Sequence, residues 1–416
     1  MNKSIAVVIL AAGKSTRMRS ETPKVLHQIC GRPMLGYVLD LSRSLKAKKI
    51  VAVLGYKHEE VRKYLTSGVI SVVQKKLLGT ANALKSALPA LKGFKGTVLV
   101  LYGDNPLLQK ETASKLLKYH MENNLDATLL TAQMEKPAGY GRILRDKYSG
   151  ICGIVEEKDA DDFDKDIKEI NTGIICFNKD RLSEALKFVK PDNRKKEYYL
   201  TDTIKILYKS GRLVDAVKIS DINEALGVNS RVDLAKANAI MQRRINEKYM
   251  KEGVSIVDPA SAFIGWGAKI GKDSVIYPFT VIESDVRIGR RCFVGPLAHL
   301  RAGTCLEDDT LVGNFVEITR SRIGSKTIAK HFSYIGDTAV GRRVNIGAGT
   351  VTANFDGRKK NRTVIKDRAF IGSDTVLVAP VSVGFDAITG AGSVVIRKVS
   401  DKTTVAGVPA RVLKHK

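Results

Sequence analysis

Cysteine is scarce and unpatterned in this 416-residue chain: five residues, at 30, 152, 176, 292 and 305, none in a C-x-x-C pair or any other metal-ligand spacing. That argues against a disulfide framework or a zinc module and leaves small buried or free thiols in a reducing compartment. Tryptophan occurs once and aromatics make up 6% of residues, with no interleaved aromatic run, so the stacking surface of a nucleic-acid module is missing. No stretch approaches the roughly 18 to 20 apolar residues of a membrane-spanning helix, so no membrane insertion is expected. The short apolar run from Ile5 is followed by dense charge rather than a small-residue cleavage site, which argues against a secretory leader and for a cytoplasmic chain. Acidic residues are few relative to basic ones, 43 against 69, for a net charge of +26. The excess is spread along the chain without a basic arm, so it reads as attraction for anionic small substrates rather than nucleic acid.

What is present begins with a loop. Residues Leu10, Ala11, Ala12 and Gly13 follow the apolar run Ile5 to Leu10 and precede the cations Arg17 and Lys24. Small residues let backbone N–H groups approach an anion closely, and fixed cations neutralise it, which is what a nucleoside triphosphate requires. The spacing fits neither the P-loop nor the dinucleotide fingerprint. Over the first 220 or so residues, apolar runs at Ile50 to Leu54, Val69 to Val73, Thr97 to Leu101 and Ala127 to Ala132 alternate with helical patterns such as Glu59 to Leu65 and Thr80 to Leu91. This βαβ rhythm predicts a Rossmann-like, mainly parallel sheet with its ligand at the carboxyl ends of the strands. Tyr102-Gly103-Asp104 sits at such an end, making Asp104 a candidate ligand for the Mg²⁺ that a triphosphate carries.

From Ser230 to Lys251 apolar residues recur at helical spacing among charges, which predicts an amphipathic linker helix. Beyond it a six-residue period sets in: positions 264, 270, 276, 282, 288, 294, 300, 306, 312 and 318 are all Ile, Val or Leu. A fixed period outranks local propensity and predicts a parallel β-helix, one short strand per hexapeptide and three per coil. The register is expected to resume through Tyr334, Val340 and Ile346 and again from Ile365 to Val383, with a basic protruding loop between Ala353 and Arg362. The expected organisation is an α/β nucleotidyltransferase domain over 1–229, the linker helix over 230–251 and the β-helix over 252–416.

These segments, with Gln74, Gly79-Thr80, Gly139-Tyr-Gly141-Arg142, Val155-Glu156, Glu169-Ile-Asn171-Thr-Gly173 and Gly227-Val-Asn229, resemble the sugar-nucleotide pyrophosphorylases. Their order resembles in particular the bifunctional bacterial N-acetylglucosamine-1-phosphate uridylyltransferase and glucosamine-1-phosphate N-acetyltransferase family. The resemblance implies that Leu10 to Gly13, Gln74, Gly79 and Thr80 hold UTP, that Gly141, Glu156 and Asn171 hold the sugar, and that Asp104 and Asn229 share Mg²⁺, with Tyr102, Gly103, Arg17 and Lys24 around the phosphates. It also implies a left-handed β-helix that assembles as a homotrimer and uses acetyl-CoA. There His331 would be the general base, and Arg301 with Lys360 would grip the sugar phosphate. Tyr334, Asn345, Ala348, Asn354, Phe355, Ser373 and Ala391 would complete the acceptor and acetyl-CoA sites.

Three positions depart from that family: Thr319 stands where it has a phosphate-binding lysine, Phe355 where it has tyrosine, and the tail Val405 to Val412 reads like the generic ending of hexapeptide acyltransferases. Arg320 adjoins Thr319, and strand alternation would turn it to the opposite face. A uridylyltransferase whose β-helix only trimerises, or a pyrophosphorylase for another sugar phosphate, therefore stays open on the sequence.

Overall fold

The computed structural model describes residues 4–14 and 16–413, which form two compact units. The first runs to Ala237 apart from Cys30–Arg32, which belong with Asn238 onward to the second.

The first unit is built on nine strands among the described residues: β1 (Ile5–Ala11), β2 (Lys49–Leu54), β3 (Val69–Val73), β4 (Thr97–Tyr102), β5 (Ala127–Gln133), β6 (Gly141–Arg145), β7 (Ile151–Val155), β8 (Glu169–Asn178) and β9 (Val214–Lys218). The order is β9-β5-β8-β4-β1-β2-β3, with the β6–β7 hairpin attached to β8. β1 pairs in parallel with β2 and β4, β2 with β3, and β5 with β9. The alternating sets Val7, Ile9, Ala11 and Ala6, Val8, Leu10 enter two separate cores, one on each face. A strand buried on both faces has no polar side to show, which is why β1 reads as an unbroken apolar run.

β8 was not legible as a strand. It lies antiparallel between β4 and β5, and its register with β5 shifts between Asn171 and Ile175. Its opening residues Glu169 to Gly173 are polar or small apart from Ile170, and Gly173 takes φ +84°, so only the short apolar run Ile174 to Phe177 marks the element and its first half carries no strand pattern.

The helix Arg231–Lys251 crosses the division between the units. Within the second unit it buries Met241, Ile245 and Tyr249 at four-residue spacing, whereas Val232, expected on the apolar face, is exposed. Asn246 is fully buried on the same side: its amide donates to the carbonyls of Pro259 at 2.8 Å and Ala262 at 3.0 Å and its oxygen accepts from Gln242 at 3.1 Å. The helix thus satisfies carbonyls at the first turns of the solenoid, as a terminal cap must.

The second unit is a left-handed parallel β-helix whose strands fall into three sheets, each coil giving one strand to each sheet. Val275 pairs with Phe293 and Phe293 with Leu311, so one coil takes three hexapeptides. All ten aliphatic residues from Ile264 to Ile318 point inward and are at most 9% exposed. Where a glycine follows the inward residue, the next coil passes too close for a side chain: a Cβ at Gly289 would lie 2.6 Å from the Asp308 nitrogen.

One position of the expected register is corrected. After Ile318 the next inward residue is Ile323, one short of six, and Ile318 pairs with Ile335; Tyr334 therefore faces outward and Ile335 fills the core. A second five-residue step, from Ile335 to Val340, restores the expected frame, so Val340 and Ile346 point inward and Tyr334 alone is displaced by one residue to the opposite face. Beyond Ala353 the chain leaves the stack in an exposed loop over 355–360 and returns at Thr363–Ile365, and the tail ends in an antiparallel pairing of Val405 with Val412.

Ion pairs run up the outside between equivalent positions of adjacent coils, including Arg291 to Asp309 at 2.6 Å and Arg290 to Asp308 at 2.9 Å. Exposed pairs are individually weak, so the inward aliphatic column carries the stability. Leu300→Ala is expected to lower the stability of the β-helix by about 2 to 5 kcal/mol, with Arg291→Ala leaving it within experimental error; the denaturation midpoints of the two variants compare the contributions.

Candidate active sites

In the first unit the carboxyl ends of β1, β2 and β4 lie side by side because β1 pairs in parallel with both neighbours. The chain leaves β1 through Leu10 to Gly13, and Gly103 donates its N–H to the Leu10 carbonyl at 2.9 Å, fastening the two loops together. A cavity of about 320 Å³ opens there, lined by Leu10, Ala11, Ala12, Gly13, Lys24, Gln74, Gly79, Thr80, Tyr102 and Asp104. Gln74 is buried and donates to the Gly79 carbonyl at 3.1 Å and the Asn82 side chain at 2.9 Å, which fixes the amide and leaves its oxygen to accept. Gly79, at φ +109°, could carry no side chain, since a Cβ would lie 2.5 Å from the Tyr198 carbonyl.

The cationic and oxygen groups converge at one point. Lys24 Nζ contacts the Asp104 carboxylate and donates to Asn229 Oδ1 at 2.8 Å; Arg17 donates to the same oxygen, also at 2.8 Å. Asn229 lies more than a hundred residues from Asp104 and is delivered by a backbone bond, Val228 N–H to the Asp104 carbonyl at 2.9 Å. Below it, Asp233 accepts from the backbone N–H groups of Asn229 and Ser230, closing the start of the helix. Two hard oxygens thus face a single positive centre, a donor set suited to Mg²⁺ whose other ligands come from phosphates and water. Among the described residues no group of three or more His, Cys, Asp and Glu side chains is assembled that could hold a metal unaided.

The three sugar candidates are gathered by the antiparallel strands. Asn171 in β8 is paired with Gly141 in β6, and β7 brings Glu156 to within 3.5 Å of where a Gly141 Cβ would stand. Asn171 Oδ1 accepts from the Gly173 N–H at 3.0 Å, and Glu156 accepts from Thr201 Oγ1 at 3.0 Å. Burial pushes the Glu156 carboxyl above the usual range, and it also pushes the Tyr102 phenol up, Glu156 and Asp104 adding to the effect. Tyr102 lies against Gly173, where a Cβ would come within 2.9 Å of its ring, so the two halves of the site share a wall.

Two contributors are given no role by the sequence. The segment Glu197 to Thr201 wraps the cavity: Glu197 lines it, Leu200 N–H donates to Thr80 Oγ1 at 2.9 Å and Thr201 holds Glu156. It forms no long element and so left no periodic signal. Arg142, 2% exposed, donates to Glu157 at 2.7 Å and to the Tyr140 carbonyl, bracing the Gly139–Gly141 turn; a cation directly after Gly-Tyr-Gly was the available clue.

In the β-helix the candidates fall into two groups. His331, Ala348, Ser373 and Ala391 each lie two residues beyond the mutually paired inward residues Ala329, Ile346, Ile371 and Thr389, so they form a column along one edge, with Asn345 on the adjoining sheet. At the other end of the strand Ser333–Gly336 lies the second group, Arg301, Tyr334, Asn354 and Lys360. Asn354 donates to Asp337 at 2.5 Å and to Tyr334 Oη at 3.4 Å, and Gly336 leaves the space both need. Arg301 donates to Glu317 at 2.9 Å. Phe355 sits 60% exposed in the loop. The four-residue strand between the groups spans roughly 13 Å, so one chain does not bring His331 to Asn354 and Lys360.

The expectation for Arg320 is overturned. It lies just outside the strand Val316–Thr319, at φ +44°, where alternation no longer applies. Its guanidinium folds back to donate to the Thr319 hydroxyl at 3.1 Å and pairs with Asp337 at 2.6 and 2.8 Å.

A family described as MobA-like NTP transferase domain matches residues 7–162, and two hexapeptide-repeat families, of bacterial transferases and of succinyl-transferases, match 267–301 and 362–397. The "Bifunctional protein GlmU" of Heliobacterium modesticaldum is 44% identical, with 96% of this chain and 94% of that protein covered. Proteins of the same name from Thermosipho africanus, 44% identical over 98% of this chain and 95% of theirs, and from Carboxydothermus hydrogenoformans, 43% identical over 98% of each, align just as fully. With both units and the links between them included in that match, the chain belongs to the GlmU family of bifunctional transferases.

Proposed function

We propose that this chain makes UDP-N-acetylglucosamine in two transfers: acetyl from acetyl-CoA to glucosamine 1-phosphate in the β-helix, then uridylyl from UTP to the N-acetylated product in the α/β unit. The observation that carries the reading is the convergence of Lys24, Asp104, Asn229 and Arg17 beside the cavity lined by Gln74, Gly79, Thr80 and Tyr102, with Gly141, Glu156 and Asn171 gathered beyond the contact of Tyr102 with Gly173. A nucleotide on one side and a sugar phosphate on the other would meet at that cluster.

In the uridylyl step a phosphate oxygen of N-acetylglucosamine 1-phosphate attacks the α-phosphorus of UTP, forming one P–O bond as the bond to pyrophosphate breaks; no protein nucleophile is needed. Lys24 and Arg17 offset the charge gathered by the two phosphates, Gln74 presents a fixed acceptor oxygen to the uracil edge, and Glu156 and Asn171 orient the sugar. Mg²⁺ bound between Asp104 and Asn229 would supply further charge neutralisation at the triphosphate.

In the acetyl step the amine attacks the thioester carbonyl, the C–S bond breaks with coenzyme A leaving as its thiolate, and the amine proton passes to His331 as general base. Separation of His331 from Asn354 and Lys360 supports a homotrimer in which one copy supplies the column and its neighbour the phosphate group. Among the described residues no helix is long and apolar enough to cross a membrane, and we place the work in the cytoplasm, where both co-substrates are made.

Thiol release from acetyl-CoA with glucosamine 1-phosphate, and pyrophosphate release from UTP with N-acetylglucosamine 1-phosphate and Mg²⁺, should both be measurable on one preparation. His331→Ala should lower the first by about 10²- to 10⁴-fold and spare the second; Asp104→Ala should do the reverse, and loss of both activities in either variant would sink the two-site reading. A further expectation concerns pH. Because Glu156 titrates above its unfolded value, its ionisation costs stability once the pH passes from the unfolded to the folded value, and the cost persists above that window. Glu156→Gln should therefore raise the melting temperature of the first unit at neutral pH but not in acid, while raising KM for N-acetylglucosamine 1-phosphate about tenfold; equal melting curves at pH 7 would contradict it.

A further inference from the structure

At the corner of the β-helix between the strand Val316–Thr319 and the strand Arg322–Ile323, which belong to different sheets, lies a cavity of about 370 Å³ whose lining includes Arg320, Arg322, Lys360 and Arg362 but a single carboxylate, Asp337. Arg322 is engaged by Glu307 at 2.6 Å, so its charge is largely answered outside the cavity. Arg320 is different in kind. Its Nε and one terminal nitrogen are taken up by the two oxygens of Asp337, and its other terminal nitrogen donates to Thr319, so the guanidinium plane is fixed while N–H hydrogens remain on both terminal nitrogens. Asp337 is held in turn by Asn354, which also reaches Tyr334. A planar, oriented fork of donors with a local excess of positive charge is the arrangement that recognises a phosphate monoester.

The geometry points to Arg320 as a phosphate-gripping residue of the acetyl-acceptor site, positioned by Asp337 and Asn354 and acting beside Lys360. The left-handed corner is what permits this: had the strand continued past Thr319, Arg320 would have faced away from the Thr319 hydroxyl and the Asp337 carboxylate. Thr319, 2% exposed beneath the guanidinium, contributes a hydrogen-bond acceptor and no charge. This inference rests on the reading that the β-helix acetylates glucosamine 1-phosphate.

The test is steady-state thiol release with glucosamine 1-phosphate and, separately, with glucosamine, which lacks the phosphate. Arg320→Ala should raise KM for the phosphorylated acceptor at least tenfold with kcat within threefold and leave the slow reaction of glucosamine unchanged; Arg320→Lys should recover part of the loss, and Asp337→Asn should raise KM by a smaller factor. Uridylyl transfer on the same preparations reports that the chain is folded. An unchanged KM in Arg320→Ala, or equal losses with both acceptors, overturns the assignment. Absence of thiol release from the parent protein would instead refute the acetyltransferase reading on which it stands.

Discussion

Both units are governed by the requirement that neighbouring parallel strands satisfy one another's backbone N–H and C=O groups. Parallel partners cannot be joined by a tight hairpin, so each return must cross over, and the crossover decides where side chains collect. In the first unit the crossovers are helices that leave the loops after β1, β2, β3 and β4 at one edge, and the phosphate loop, Gln74 and Asp104 gather there because those strands pair as they do. In the second unit the return is the next coil itself, so residues about three hexapeptides apart stand one above another. His331, Ala348, Ser373 and Ala391 become neighbours by that geometry alone.

Electrostatics then divides the chemistry. Four of the cations are gathered at two places that also hold an acidic or amide oxygen: Lys24 and Arg17 about Asp104 and Asn229, and Arg320 and Lys360 about Asp337. In each, the oxygen fixes the direction of the cation rather than simply cancelling it, which prepares the site for an anionic ligand with little reorganisation. Asp337 is held below the usual carboxylate range, chiefly by its hydrogen bonds from Arg320, so the pair stays ionised through the acid range in which Glu156, raised by burial, is gaining its proton.

Much of the site could be read from the chain because its residues lie in short local words. Leu10 to Gly13, Tyr102 to Asp104 and the Gly-Tyr-Gly turn before Arg142 each sit at a strand end, where the backbone conformation is demanding and few residue types fit. The segment Glu197 to Thr201 escaped because it is held by bonds to Thr80, Glu156 and Leu78, partners that local sequence does not reveal. Arg320 escaped for the opposite reason: the alternation rule was applied one residue past the end of the strand.

The sequence by itself determined the class of each unit, since hydrophobic periodicity is a local property: unbroken apolar runs mean strands covered on both faces, and a six-residue period means a prism with one aliphatic residue per side. It also determined the inward column from Ile264 to Ile318. Tertiary structure alone decided that β8 runs antiparallel and delivers Asn171 to Gly141, that a five-residue step after Ile318 turns Tyr334 outward, and that Asn229 meets Asp104. These depend on pairing between residues distant in the chain, where a one-residue change of register reverses the face a side chain occupies.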